Sequence, residues 1–476
     1  MATGTTLTNS PAYPAASLGA AVNVQVGILF HGGRMKLIIY SKQTTPRHDV
    51  SFLVGRQKAP VWQKINKWLP PRDAHQDFWW DVTGQHLATM LHEAGYPLSR
   101  QYECLMFHYY IIVPCMGPRP GPTGQPTFKS FMTDDFSPIE YSWKWGDTDN
   151  DPPGIRLSVE HIGPNAGTAL DLYNRESTIN VLDHLNAADI SIDPVWFKAF
   201  LHDFDPHNIS TNTDEGDWGS SLFTAYELGA EKIAVKAYFI PRTQSVCQEF
   251  FSHGFKRAMK NVYGTDSSYL SAFATLSDFL TSDPEGQKLQ MIILGIDCVA
   301  PEKSRIKVYM RTPSTSINHI ISILSLGGRR PLSQVSIDEI RDLWRATLSL
   351  NDTMSDDEDL PSLNHETSGM LFYFDIKPSS KLPDVKGYIP VRHYGKTDLS
   401  IANGLIGFLE RHNRAKYKDR YIQMLEGISQ QADILSSRGI HTYISFGIGK
   451  DGHLQLTSYF SPQIYRRIAE AKGIGR

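Results

Sequence analysis

Arg305, Lys307, Tyr309 and Arg311 alternate with Ile306, Val308 and Met310. In an extended strand, side chains two apart share a face. This stretch therefore has one apolar face, suited to a core, and one basic and aromatic face. Lys236 and Tyr238 repeat the spacing of cation and ring, and so do Lys386 and Tyr388. Arg156 and Tyr459 stand on two further stretches of strand character. Converging lysines and arginines hold a di- or triphosphate through charge-assisted hydrogen bonds, supplying the neutralising charge without a metal. Electron-rich rings beside them stabilise a carbocation and exclude water. Together these are the requirements for ionising an allylic diphosphate. Taken singly, each cation also fits a solvated outer face and each tyrosine a half-buried wall residue; the recurrence favours a shared cavity.

A carboxyl joins this set. Pro138-Ile139-Glu140-Tyr141-Ser142-Trp143 puts Glu140 among apolar neighbours. Facing a lumen, Glu140 would accept a hydrogen bond from an aromatic N–H or O–H and orient a nucleophile; facing outward, it would be an ordinary surface carboxylate.

The elements that must position these residues recur. Strand-like pairs fall at Pro138 to Trp145 with Gly154 to Ile162, Leu222 to Leu228 with Lys232 to Ile240, and Gln290 to Val299 with Arg305 to Arg311. Two more are Met370 to Ile376 with Val385 to Val391, and Thr442 to Gly447 with His453 to Phe460. About five hairpins thus return at intervals of roughly 70–85 residues, with helical sequence between them. One such unit cannot bury its apolar face alone, so the units must stack or close. Antiparallel pairs argue against a parallel barrel. The expected fold is α/β: a closed barrel of about ten antiparallel strands ringed by helices, in repeated ααββ units and wide enough to keep a lumen. Among the helices, Gln101 to Val113 is expected to stop at Pro114, and Ser336-Ile337-Asp338-Glu339 reads as a capping box. Residues 1–58, rich at the start in Ala, Thr, Ser and Pro, read as a flexible extension, and residues 59–476 as a single barrel domain. The apolar stretch from Val22 to Tyr40 suggests no function.

Composition narrows the setting. The 476 residues carry a formal charge of -3, so a large nucleic-acid surface is not expected and any anion site must be local. No stretch approaches the ~20 apolar residues of a membrane span. Cys104, Cys115, Cys247 and Cys298 form no Cys-x-x-Cys pair and have no His at zinc-finger spacing, as in a reduced, cytoplasmic protein. Two other signals are weak. Gly395-Lys396-Thr397 resembles the end of a phosphate-binding loop, but Pro390 occupies the position where that loop needs glycine. Asp356-Asp357-Glu358-Asp359 could bind magnesium, as in metal-dependent isoprenoid synthases, yet it sits in loop-like sequence before Pro361.

In order along the chain, these features resemble the fungal aromatic prenyltransferases of the dimethylallyltryptophan-synthase type. The resemblance rests on Tyr102 to Pro120, Pro138 to Trp143, Val235-Lys236-Ala237-Tyr238-Phe239-Ile240-Pro241 and Arg305-Ile306-Lys307-Val308-Tyr309. It continues through Ser314-Thr315-Ser316 with Leu326-Gly327-Gly328, Tyr388-Ile389-Pro390-Val391-Arg392-His393-Tyr394-Gly395, and Leu456 to Pro462. It implies a secondary-metabolic enzyme, monomer or homodimer, that needs no metal or other cofactor and takes dimethylallyl diphosphate as co-substrate. It further implies that Arg156, Lys236, Arg305, Lys307 and Lys386 bind the diphosphate, that Tyr238, Tyr309, Tyr388 and Tyr459 shield the cation, and that Glu140 contacts an electron-rich acceptor, commonly an indole, and assists its deprotonation.

Two departures bear on the acceptor. Gln455 stands where family members often have a further tyrosine, which marks an altered wall. No lysine occurs in Ser220–Leu228, where members acting on tryptophan carry one. An indole alkaloid, a cyclic dipeptide, or a phenolic polyketide or tyrosine-type acceptor all remain open, as does a non-catalytic barrel that binds an aromatic ligand.

Overall fold

The period of two in the sequence becomes an alternation of inside and outside. In the computed structural model, which describes residues 24–31, 34–41, 50–55, 59–187, 192–205, 219–263, 270–351, 353–429 and 431–474, strands β1 (Val24–His31) and β2 (Arg34–Ser41) form a separate antiparallel hairpin. The other ten strands close one barrel. They are β3 (Ile139–Lys144), β4 (Gly154–Val159), β5 (Leu222–Leu228), β6 (Ile233–Phe239) and β7 (Gln290–Asp297). The ring continues with β8 (Ile306–Thr312), β9 (Met370–Ile376), β10 (Asp384–Ile389), β11 (His441–Ile448) and β12 (Leu454–Phe460). Each pairs antiparallel with its neighbours in chain order, and β12 returns to β3 through Thr457 opposite Lys144 and Tyr459 opposite Ser142. The five expected hairpins are all present. β4 stops at Val159 and β7 at Asp297, short of the expected Ile162 and Val299.

Closure removes every sheet edge and gives the barrel two unlike rims. The tight connections inside the hairpins lie at one, and the long helical connections between hairpins at the other. Outward-facing side chains meet the surrounding helices. Phe239 packs on Phe197 and Phe204, with ring centroids 5.5 Å from each, and Trp143 meets Tyr421 edge to face at 5.6 Å. The helices are thus held by aromatic burial on the outer wall, which leaves the inner wall free for polar groups.

The features that weakly suggested other chemistry have structural roles. Thr397 caps the helix Asp398–Arg411 in a capping box with Ser400. Asp356 is ion-paired to Arg341 at 2.7 Å and lies 3.3 Å from Arg345, while Asp359 accepts hydrogen bonds from the backbone of Thr315 and Ser316. The acidic run is therefore a pinned loop. The expected capping box at Ser336 does not form, and the helix begins one turn earlier. Ser333 caps the helix Gln334–Leu348, and Ser336 donates instead to the Gly452 carbonyl at 2.6 Å. Glu339 accepts from His453 Nδ1 and the Leu454 amide, tying this helix to the β11–β12 turn.

Part of the chain before Ala59 packs on the barrel domain. Leu53 is fully buried, and its carbonyl accepts from His86 Nε2 at 2.8 Å and Arg467 Nη1 at 2.9 Å. A short segment inside the expected extension thus joins the helix Gln85–Glu93 to the last helix, Ile464–Ala471, because apolar side chains such as Leu53 and Val54 find core to bury against. The expected flexibility of residues 1–23 and 42–49 lies outside the described residues.

Candidate active site

Inward-facing residues sort by height along each strand. Arg156, Lys236, Arg305, Lys307 and Lys386 lie near the beginnings of the second strands of their hairpins and so cluster at the hairpin-turn rim. Together they line a cavity of about 1110 Å³. Tyr238, Tyr309, Tyr388 and Tyr459 come next and also border a narrower cavity of about 160 Å³ at the helical-connection end. Glu140, at the start of β3, lines only that narrower cavity. Every site residue expected from the sequence therefore faces one lumen, in three layers: charge, rings and carboxyl.

The cationic layer contains partners that the sequence pattern did not flag. Glu227 Oε1 lies 3.2 Å from Arg156 Nη2, and Glu227 Oε2 2.7 Å from Lys236 Nζ. Asp297 takes Arg305 Nε at 2.6 Å and Lys307 Nζ at 2.8 Å. Asp375 lies 3.5 Å from Arg305 Nη1. These carboxylates end the first strands of the second, third and fourth hairpins, whereas the cation pattern runs on the second strands. The signal was available: each of these three hairpins carries an acid just before its turn and a base just after it.

The electrostatics follow from this pairing. Burial would raise the Glu227 carboxyl, but Arg156 and Lys236 hold it well below the usual range. Asp297 is likewise held at about 2 by Lys307, Arg305 and Lys236 against the effect of burial. Burial, with Arg156 and Lys307 nearby, lowers Lys236 to about 8. Lys386 drops further, to about 7, through burial and the proximity of Arg156 and Lys144. Among the described residues no carboxylate lies within ion-pair distance of Lys386. Neither it nor Lys144, the latter also facing this chamber, is ion-paired among the described residues. Gln455 lines the same rim, and its Nε2 donates to Asp147 Oδ2 at 2.9 Å.

The ring layer is larger than expected. Tyr309 contacts Tyr373 at 5.1 Å, Tyr238 at 6.0 Å and Tyr388 at 6.2 Å between centroids. Tyr388 continues to Tyr459 at 5.5 Å and Tyr443 at 6.0 Å. Tyr373 and Tyr443 sit on first strands and were missed for the same reason as the carboxylates. Burial raises the phenols of Tyr309, Tyr373 and Tyr388 well above their ordinary value, so the rings stay neutral. Two inward glycines make room. A Cβ on Gly295 would come within 2.9 Å of the Tyr238 ring, and one on Gly447 within 2.7 Å of Lys386 Cγ.

In the narrow chamber, Glu140 Oε1 accepts from Thr442 Oγ1 at 2.9 Å. Burial raises the Glu140 carboxyl to about 8 despite that hydrogen bond. Phe131 and Met132 close one side. Their loop is held by buried Glu160, which accepts from Ser130 Oγ, the Phe131 amide and Ser220 Oγ. Two groups among the described residues have ligand atoms spaced to hold a metal ion: Asp134 with His365 and His393, and Glu339 with His412 and His453. Their donors are already engaged. Arg392 Nε lies 2.6 Å from Asp134 Oδ2, His393 Nε2 lies 2.6 Å from Thr367 Oγ1, and Glu339 is taken by His453 and Leu454.

A closed ten-stranded antiparallel barrel with helices outside and a layered lumen inside is the architecture of the prenyltransferase barrel. The profile of the tryptophan dimethylallyltransferase family matches residues 75–424, and the chain belongs to that family. It is a prenyltransferase. The prenyltransferase anuH of Penicillium roqueforti is 34% identical over 431 residues, covering 87% of this chain and 94% of that protein. The prenyltransferase nscD of Aspergillus fumigatus is 36% identical over 438 residues, with the same coverage of both chains. Among solved structures, AnaPT from Neosartorya fischeri superposes with a TM-score of 0.69 at 22% identity over 84% of this chain and 97% of that one. NotF in complex with brevianamide F and DMSPP does so with a TM-score of 0.71 at 19% identity over 85% and 98%. Among the described residues, no helix is long and apolar enough to cross a membrane.

Proposed function

We propose that this prenyltransferase moves a dimethylallyl group from its diphosphate to an electron-rich aromatic acceptor, through an allylic cation and without a metal. The observation that carries the reading is the order of the three layers along one lumen. Arg156, Lys236, Arg305, Lys307 and Lys386 hold the diphosphate. Ten lysine and arginine side chains line that chamber against five carboxylates, a surplus that supports neutralisation of the leaving group by the protein itself. The C1–O bond of the donor breaks and its electron pair leaves with the diphosphate. The allyl cation lies among Tyr238, Tyr309, Tyr388, Tyr459 and Tyr373, whose faces attract it and whose bulk keeps water away. The acceptor attacks from the narrow chamber, with its N–H or O–H held by Glu140, and the new bond forms as a proton is lost toward that carboxylate.

An indole N–H and a phenol O–H meet Glu140 equally well, so a phenolic polyketide or tyrosine-type acceptor is the second reading. The absence of a lysine on β5, whose inward residues include Phe223, Ala225 and Glu227, speaks against free tryptophan. A cytoplasmic setting belongs to the same proposal: the four cysteines are free thiols, the state a reducing compartment maintains.

The test is diphosphate release and product mass with dimethylallyl diphosphate against a panel of indoles, tyrosine and hydroxylated polycyclic aromatics, with and without EDTA. Turnover that persists in EDTA is expected. Loss of turnover in EDTA would overturn the metal-free reading. Failure with every acceptor, together with no binding of the donor's thiol analogue, would overturn the donor and acceptor assignment.

A further inference from the structure

The charged side chains of the narrow chamber are not all paired. Its lining includes Asp134, Glu140, Arg311, Arg392 and His393. Asp134 and Arg392 neutralise one another at 2.6 Å. Burial and the neighbouring His365 lower His393 to about 4, so its ring is neutral, and Glu140 is engaged by Thr442 Oγ1 at 2.9 Å. Arg311 is left over. Its Nη1 donates to the Glu366 backbone carbonyl at 2.7 Å, and its Nε is buried without a hydrogen-bond partner. Among the described residues no carboxylate lies within ion-pair distance of it. A neutral carbonyl satisfies one N–H of a guanidinium but leaves its charge uncompensated. The surroundings are partly apolar: Leu371 stands opposite Arg311 across the β8–β9 ladder and Gln290 across the β7–β8 ladder, and Ile293 and Tyr443 line the same chamber. A lone cation against such walls needs an anion more than one in water does.

Topology says where that anion would lie. In the ring of ten strands, β8 is five strands from β3 in either direction. Arg311 therefore stands on the wall opposite Glu140. Both lie toward the helical-connection end of their strands, so they occupy the same level of the lumen, beyond the tyrosine layer.

We propose that Arg311 is an anion subsite of the acceptor chamber, and that the acceptor is an aromatic carrying a carboxylate or an ionised acidic hydroxyl on the side away from the N–H or O–H that meets Glu140. This rests on the acceptor assignment proposed above and adds the acceptor's charge to it. A guanidinium fork grips a carboxylate or an enolate beside a carbonyl through two parallel hydrogen bonds. Such a grip across the lumen from Glu140 turns the ring to one fixed angle beneath the cation, and so makes Arg311 a determinant of specificity.

The test is binding to enzyme saturated with dimethylallyl S-thiolodiphosphate, measured by calorimetry for two matched probe pairs. Indole-5-carboxylate against indole-5-carboxamide reports a carboxylate; 2,6-dihydroxy-1,4-naphthoquinone against its 2-methyl ether reports an ionised hydroxyl. In the wild type, at least one anionic probe should bind about tenfold or more tighter than its neutral partner, the scale of one charge-assisted contact. Arg311→Gln should bring that ratio to near one while the thiolodiphosphate still binds as in the wild type, and Arg311→Lys should keep part of it. Equal binding within both pairs by the wild type, or a ratio that survives Arg311→Gln, would overturn the subsite. The wild-type ratios and Arg311→Lys decide the matter even if Arg311→Gln misfolds. Dimethylallyl transfer with no preference for anions removes only this subsite; no transfer to any acceptor removes the reading on which it rests.

Discussion

At the hairpin-turn end of the lumen, lysines and arginines stand beside carboxylates from the same or the neighbouring hairpin; at the helical-connection end, single polar groups stand among rings and aliphatic side chains. The first arrangement recurs within two hairpins, as Glu227 with Lys236 and Asp297 with Lys307, and between two neighbouring ones, as Asp375 near Arg305. The second has no repeat: Glu140, Thr442 and Arg311 each occur once, and loops outside the barrel, such as that bearing Phe131 and Met132, complete the wall. The difference follows from what each end would hold. A diphosphate presents many equivalent oxygens and is met by any dense ring of cations, so duplicated hairpins can build its site. Those cations must be held apart in an empty, partly buried chamber, and carboxylates between them do this. An aromatic acceptor has one reactive face and one or two polar atoms, so its chamber depends on individual residues.

The largest expected effect lies at the acceptor end. Glu140→Gln should lower kcat by roughly 10²–10⁴-fold, the range of a positioned acid or base, with little change in affinity for the donor analogue. Because burial holds this carboxyl at about 8, its carboxylate prevails above that pH and is lost below it. The wild-type kcat should therefore climb between pH 7 and 9, and the variant's profile should be flat. A wild-type rate indifferent to pH in that interval would show that Glu140 orients the acceptor without taking its proton.

The donor end divides paired from unpaired cations. Lys386→Met removes a lysine with no carboxylate partner, so kcat/KM should fall by roughly 10²–10³-fold, on the scale of one lost electrostatic donor, with thermal stability nearly unchanged. Lys307→Met deprives buried Asp297 of a partner, and should lower stability as well, by up to roughly 3–5 kcal/mol as for a broken buried pair. Denaturant unfolding of the two variants separates the cases, and equal stability losses would contradict the distinction. Lys386 also sets a proton count. Since it is lowered to about 7, it is largely neutral at pH 8 in the empty site, and the diphosphate favours its charged form. Binding of the thiol analogue at pH 8 should take up to about one proton more in the wild type than in Lys386→Met, read from calorimetry in buffers of different ionisation heat.

Between the two ends, the rings should show a smaller effect. Tyr309→Leu removes a face that touches three other tyrosines, and one cation–π contact corresponds to about tenfold in rate. The more telling readout is partition: dimethylallyl alcohol should rise relative to prenylated product as water reaches the cation. An unchanged ratio would assign the rings to packing alone. The smallest change is at Gly447→Ala, where the added methyl meets the Lys386 side chain. Overpacking of this kind costs roughly 1–3 kcal/mol, and here it should appear mainly as weaker donor binding.

Much of this molecule is legible along the chain. Alternation in Arg305 to Arg311, Lys236 to Tyr238 and Lys386 to Tyr388 marks strands and their polar faces, because the geometry of an extended backbone imposes that period wherever the chain lies. Recurrence of the hairpins implies closure, because no single unit buries its own apolar side. Helix starts are less legible. Ser333 rather than Ser336 takes the cap, since Ser336 is drawn to the Gly452 carbonyl and Glu339 to the β11–β12 turn, partners more than a hundred residues away.

What the sequence by itself determined is the ten barrel strands, the cations and tyrosines on the second strands of their hairpins, and the barrel that gathers them. Local geometry and the need to bury apolar faces act on every segment alone or on its near neighbours. What only the tertiary structure decided is which groups oppose one another. Glu227, Asp297 and Asp375 become partners of the cations, Tyr373 and Tyr443 enlarge the ring layer, and Arg311 comes to face Glu140, through the registers of ten strands and the closure of β12 on β3. Register and closure are set by contacts between residues far apart in the chain, so the spacing within any one strand carries no record of them.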